Sequence, residues 1–81
     1  MSLDDNWAKG ATDALALLPP GLRDQVEALV RGLCRDPYGL SVARVGAGPR
    51  SRLAKAGRVV VVFEVDEIGD LVYVTGLETR D

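Results

Sequence analysis

Between Arg44 and Arg58 the chain carries five basic residues, Arg44, Arg50, Arg52, Lys55 and Arg58, and no acid. The full sequence has 10 Lys+Arg against 12 Asp+Glu, so the remainder carries five basic residues against twelve acidic ones. An acidic chain with one basic island has concentrated its positive charge. Such an island is the electrostatic footprint of an anion site, for a phosphate backbone or an acidic partner. A solvated, charge-mixed surface loop is the competing reading of the same residues. The chemistry available is narrow. Arginine forks match phosphate geometry, and a lysine adds a compact charge or a proton. The chain has no histidine, which removes an imidazole general base. A zinc site would need carboxylates alone, a ligand set zinc rarely uses. Neither a metal nor another cofactor is expected. The single cysteine, Cys34, cannot form an internal disulfide and has no histidine to activate it. It reads as packing, and a lone thiol fits a reducing compartment.

These residues need a scaffold, and 81 residues suffice for one domain, residues 1–81. A chain of this size buries only about 60–65% of its unfolded surface. At 47% hydrophobic residues it has the apolar content to fold. The acidic start, Met1-Ser2-Leu3-Asp4-Asp5, does not resemble a secretion signal. The longest apolar run, Val59–Phe63, is far too short to span a membrane. The expectation is a soluble, cytoplasmic protein with no membrane partner.

Apolar residues at Trp7, Ala11, Ala14, Leu15 and Leu18 form a helical stripe over Asp5–Leu18. Gly10 weakens that helix, and the first few residues could instead make a short strand. Pro19-Pro20 ends the segment. A second helix follows, with Pro20 in its first turn and Leu22, Val26, Leu29, Val30 and Leu33 on one face. Asp36-Pro37 stops it near Arg35. The two make a helical hairpin.

After Tyr38-Gly39 the period becomes strand-like. Leu40, Val42 and Val45 suggest a short strand, irregular near Ala43-Arg44, and Gly46–Pro49 a turn. Arg50–Lys55 suggests a second short strand, with Ala56-Gly57 as its turn. Arg58–Asp66 is the strongest strand and, apolar on both faces in its first half, should be central. Glu67–Asp70 then leads into Leu71–Leu77 as an antiparallel hairpin. The fold class is α+β: an N-terminal helical hairpin packed on a small antiparallel sheet of three to four strands. Val60 and Val62 point away from Val59, Val61 and Phe63. If helices cover one face, the other retains apolar surface that a strand, a second copy of the chain or a partner must cover.

This layout resembles the RelE/ParE toxin superfamily of type II toxin–antitoxin modules. The resembling pieces are Ala14–Pro19, the helix Leu22–Leu33, Asp36-Pro37-Tyr38-Gly39, the hairpin holding Phe63-Glu64-Val65-Asp66 and Val72-Tyr73-Val74, and Thr79-Arg80. They span about Trp7 to Arg80. The resemblance implies a toxin neutralised by a cognate antitoxin protein. Many members are ribosome-dependent mRNA endonucleases that need neither histidine nor metal; others inhibit gyrase. Attack of a 2′-hydroxyl on phosphorus requires positive charge near the equatorial oxygens, plus proton transfer. Arg80 sits where the family often has an arginine after the last strand. Arg58 lies near the start of the central strand, where the family often has another, although the matching position falls at Val60. The resemblance therefore implies Arg58, Arg80 and Lys55 as catalytic residues, with Arg44, Arg50 and Arg52 as RNA and phosphate contacts. The implied partners are the antitoxin, the ribosome and mRNA, or a second copy of the chain. The alternative is a non-catalytic protein-binding module, either gyrase-inhibiting or a degenerate antitoxin-binding relative.

Each residue also has a plainer reading. Arg58 could pair with Glu78 or Glu64 across the sheet. Arg50, Arg52 and Lys55 could keep an edge strand soluble. Tyr38 reads as a loop anchor, Tyr73 and Trp7 as packing, and Asp66, Glu67 and Asp70 as turn chemistry.

Overall fold

The computed structural model describes residues 2–44, 46 and 50–80. Its elements are β1 (Asp4–Trp7), α1 (Lys9–Ala16), α2 (Pro20–Arg35), β2 (Val42–Ala43), β3 (Ser51–Ala56), β4 (Val59–Asp66) and β5 (Leu71–Thr79). The strands form one sheet in the order β1-β5-β4-β3-β2. β1 runs parallel to β5, and the other pairings are antiparallel.

The helices share a core with one sheet face. Ala11 of α1 and Val26, Val30 and Leu33 of α2 join Val59, Val61 and Phe63 of β4 and Val72 and Val74 of β5. Period-two alternation selects those β4 residues, and the helical stripe selects those of α2. Cys34 belongs to this core. Burial, and then the charges of Asp5 and Asp4, push its thiol pKa up, the opposite of what a nucleophile requires.

The C-terminal end of each helix is closed locally. Pro20 opens α2, and Arg23 on its first turn donates to the carbonyls of Ala16 and Leu18 at the end of α1, satisfying acceptors that a helix end leaves free. Beyond α2 the Gly39 N–H donates to Asp36 Oδ1 at 3.0 Å. A Cβ at Gly39 would crowd the Asp36 carboxylate, so a larger residue there would displace the side chain that makes this hydrogen bond.

Two features depart from the sequence expectation. The stretch Asp5–Leu18 is not one helix. Asp4–Trp7 is strand, and only Lys9–Ala16 is helix. Trp7 therefore sits on a strand, half-buried against the core. The cause is the free edge of β5, whose backbone groups need partners. Asp5 pairs with Val72, and the Ala8 N–H donates to the Val74 carbonyl at 2.9 Å. The sheet consequently has five strands rather than three to four, and it is mixed rather than purely antiparallel. The central strand starts at Val59, not Arg58, because Gly57-Arg58 is a two-residue hairpin loop with Gly57 at φ +58°, a conformation glycine adopts without strain. The expected turn at Gly46–Pro49 falls largely outside the described residues, as does Val45.

A β-bulge decides which residues of β5 face which way. Val62 pairs with Gly76 but Phe63 with Val74, which leaves Thr75 as the extra residue. Its hydroxyl donates to the Val62 carbonyl at 3.2 Å. Val72 and Val74 before the bulge, and Leu77 after it, all face the helices. Glu78 is thereby aligned with Val60, on the side away from them.

Candidate functional site: the open face of the sheet

The sheet face away from the helices carries Leu53 and Lys55 of β3, Val60 and Val62 of β4 and Glu78 of β5, aligned in cross-strand pairs. Val60 and Val62 are only 8% and 4% exposed although they lie outside the helix-side core. The chain's own side chains already cover them, so the expected open apolar surface is not found at the two valines. The large apolar residues left exposed nearby are Leu40 and Val42. With Leu53, Val60, Lys55 and Arg80 they line a cavity of about 590 Å³.

Charge converges on this face from both sides of the sheet. Arg44, just beyond β2, is separated from β5 by two intervening strands. Its guanidinium nevertheless lies 4.0 Å from Glu78 Oε1. Glu78 Oε2 lies 3.5 Å from the Arg80 guanidinium. The sheet is thus curled enough for Arg44 to reach across it. Arg58 and Arg80 are direct cross-strand neighbours, since the Arg80 N–H donates to the Arg58 carbonyl at 2.6 Å. Like charges placed directly opposite each other repel, and a bound anion would relieve that repulsion.

The basic residues singled out in the sequence therefore separate into two groups. Arg44, Lys55 and Arg80 share the open face, with Arg58 beside Arg80. Arg52 does not join them. It pairs with Phe63 in the ladder and so points to the helix side. There its Nε donates to Ser41 Oγ at 2.7 Å, its terminal nitrogen donates to the Ser41 carbonyl at 3.1 Å, and its guanidinium stacks over the Tyr38 ring at 5.0 Å. Arg50 lines a separate cavity of about 320 Å³ with Arg52, Tyr38 and Glu67. Tyr38 also donates its hydroxyl to Glu67 at 2.6 Å. That hydrogen bond is the main cause of its raised phenol pKa, and the loop-anchor reading of Tyr38 accounts for all of this.

Two participants escaped the sequence reading. Glu78, expected only as a partner for Arg58, contacts Arg44 and Arg80. Its spacing of two residues from Arg80 on a strand was the available signal. Ser41, the acceptor that fixes Arg52, carried no signal at all.

No family model matches the chain, and no curated protein sequence does. Solved structures do match. The arrangement of two helices on one face of a curled five-stranded sheet defines a small α+β class found in toxin–antitoxin proteins. A chain of the RelBE2 toxin–antitoxin complex from Mycobacterium tuberculosis superposes with a TM-score of 0.89 at 17% identity, over 99% of this chain and 100% of that one. The RelE–RelB complex from Pyrococcus horikoshii gives 0.82 at 19%, over 99% and 97%. The isolated RelE toxin of E. coli gives 0.84 at 13%, over 99% and 86%. The fold of this chain is the RelE fold, as its resemblance to the RelE/ParE superfamily implied.

Proposed function

We propose that this chain is the toxin component of a type II toxin–antitoxin module, neutralised by a cognate antitoxin in the cytoplasm, and that its open sheet face binds RNA phosphate. Similarity in fold to RelE chains from three organisms, two of them crystallised with their RelB partners, supports the first part. The observation that carries the second is the convergence of Lys55, Arg80 and Arg44 on one concave face, with Arg58 directly opposite Arg80.

In the catalytic form of this reading the ribose 2′-hydroxyl of a ribosome-bound mRNA attacks the adjacent phosphorus and gives up its proton to a water molecule. A bond to the 2′-oxygen forms and the bond to the 5′-oxygen breaks. Arg58 and Arg80 stabilise the charge that accumulates on the equatorial oxygens. The Lys55 ammonium supplies the proton taken up by the departing 5′-oxygen. Arg50, just before β3 and beside the separate cavity, serves as an outlying phosphate contact. Arg52, tied to Ser41 and Tyr38, serves to hold β3 to the segment after α2.

Induction of the chain in a bacterium, followed by primer extension on cellular mRNA, tests this reading. Growth arrest with new mRNA ends is expected. Lys55→Ala/Arg80→Ala should abolish the ends while the protein still folds. A second reading, a non-catalytic module that binds protein, is favoured by Glu78, which already partners two of the arginines. Growth arrest with intact mRNA would select it.

A further inference from the structure

We propose that Glu78 is a built-in anion that occupies the cationic face of the free protein and is displaced when a nucleic-acid phosphate binds there. The inference rests on reading this face as a phosphate site. A phosphodiester presents one negative charge on two non-bridging oxygens, and so does a carboxylate. Glu78 uses its two oxygens as such a ligand would. Oε1 faces Arg44, from one side of the sheet, and Oε2 faces Arg80, from the end of β5.

The geometry suits an exchangeable contact. Both distances are at the long end for ion pairs, and the side chains of Glu78, Arg44 and Arg80 remain 46%, 41% and 63% exposed. Exposed pairs of this kind gain little, because water screens them and two long side chains must be held in place. The contrast with Arg52 is direct. Its two donors reach Ser41 at 2.7 and 3.1 Å in a partly buried setting, shorter and less exposed than either contact of Glu78. Glu78 reaches its position through the bulge at Thr75, which turns it, rather than Thr79, toward the open face.

Two consequences follow. In the free protein the carboxylate neutralises part of the basic face, which weakens indiscriminate attraction to polyanions. A phosphate must then compete with Glu78, so only a ligand that also engages Lys55 and Arg58 succeeds.

The test is binding of a short single-stranded RNA carrying 2′-O-methyl groups, which cannot be cleaved, to the purified chain across a salt series. Glu78→Gln should bind about three- to tenfold tighter than the unaltered chain, the gain expected from releasing weak ion pairs. Its log–log salt dependence should steepen by about one, as a freed cation takes on a phosphate. Asp24→Asn, on the exposed side of α2, makes the same change in net charge and should alter affinity by less than about twofold. Binding by Glu78→Gln that is no tighter than by Asp24→Asn, or weaker than by the unaltered chain, overturns the proposal while leaving the phosphate site standing. If Lys55→Ala/Arg80→Ala weakens binding in neither background, the phosphate reading itself fails, and the role of Glu78 with it.

Discussion

The two faces of this sheet solve the same burial problem with different materials. On the helix side, Val59, Val61 and Phe63 are fully buried beneath two amphipathic helices. On the open side, Val60 and Val62 are almost as well hidden, although α1 and α2 both pack on the opposite face. Long charged side chains can do this, since their hydrocarbon stems cover apolar surface while their ends stay in water. The difference teaches where function can reside. A face closed by helices is committed to stability. The open face carries Arg44, Lys55, Glu78 and Arg80 beside Leu40, Val42 and Leu53; such side chains can rearrange without unfolding the chain, and on this face the positive charge converges.

Substitutions across the sheet probe the contrast directly. Phe63→Ala should have the largest effect, a loss of about 3–5 kcal/mol, because it opens a cavity among packed core residues. Denaturant unfolding measures it. In a chain this small, such a loss would consume much of the total stability. The neighbouring pair Val61→Ala and Val60→Ala is sharper. Val61 should cost about 2 kcal/mol, near the full burial value of a valine. Val60 should cost about 1 kcal/mol, because the side chains that line the cavity beside it can shift to close the gap. Equal losses at the two positions would break the comparison, and would mean that the open face is packed as firmly as the helix side.

The smallest effect concerns the Tyr38–Glu67 hydrogen bond, which fastens the segment after α2 to the β4–β5 turn. Acceptance of the phenol proton by Glu67 raises the Tyr38 pKa above its ordinary value near 10. The folded state therefore holds this proton to higher pH than the unfolded state does. The contribution of the bond is complete below the unfolded value and is lost as pH rises through the folded one. Tyr38→Phe should accordingly be slightly less stable than the unaltered chain at neutral pH and should converge with it in strong alkali. In a Tyr73→Phe background, an ultraviolet titration should show the phenol pKa falling when Glu67 is replaced by Gln.

Much of the scaffold was legible in the sequence. The spacing of Leu22, Val26, Leu29, Val30 and Leu33 specified α2 because a 3.6-residue period admits one buried stripe. The run Val59–Phe63 specified a central strand, since a strand apolar on both faces must be covered on both. The site was less legible. The basic window suggested a single patch, yet alternation along β3 sends Arg52 and Lys55 to opposite faces once the register with β4 is set. At the start of the chain the sequence leaves helix and short strand both open, for a related reason. Trp7 fits a helical stripe locally, but the edge of β5 offers backbone partners, and those are non-local.

Local pattern by itself determined the fold class, the identity of the core strand and the position of α2, because periodicity and breakers act over a few residues. Only the tertiary structure decided that β1 joins β5, that a bulge at Thr75 turns Glu78 to the open face, and that Arg44 reaches it across two strands. Each of those depends on a register between segments far apart in the chain, and a shift of one residue in that register reverses every face it sets.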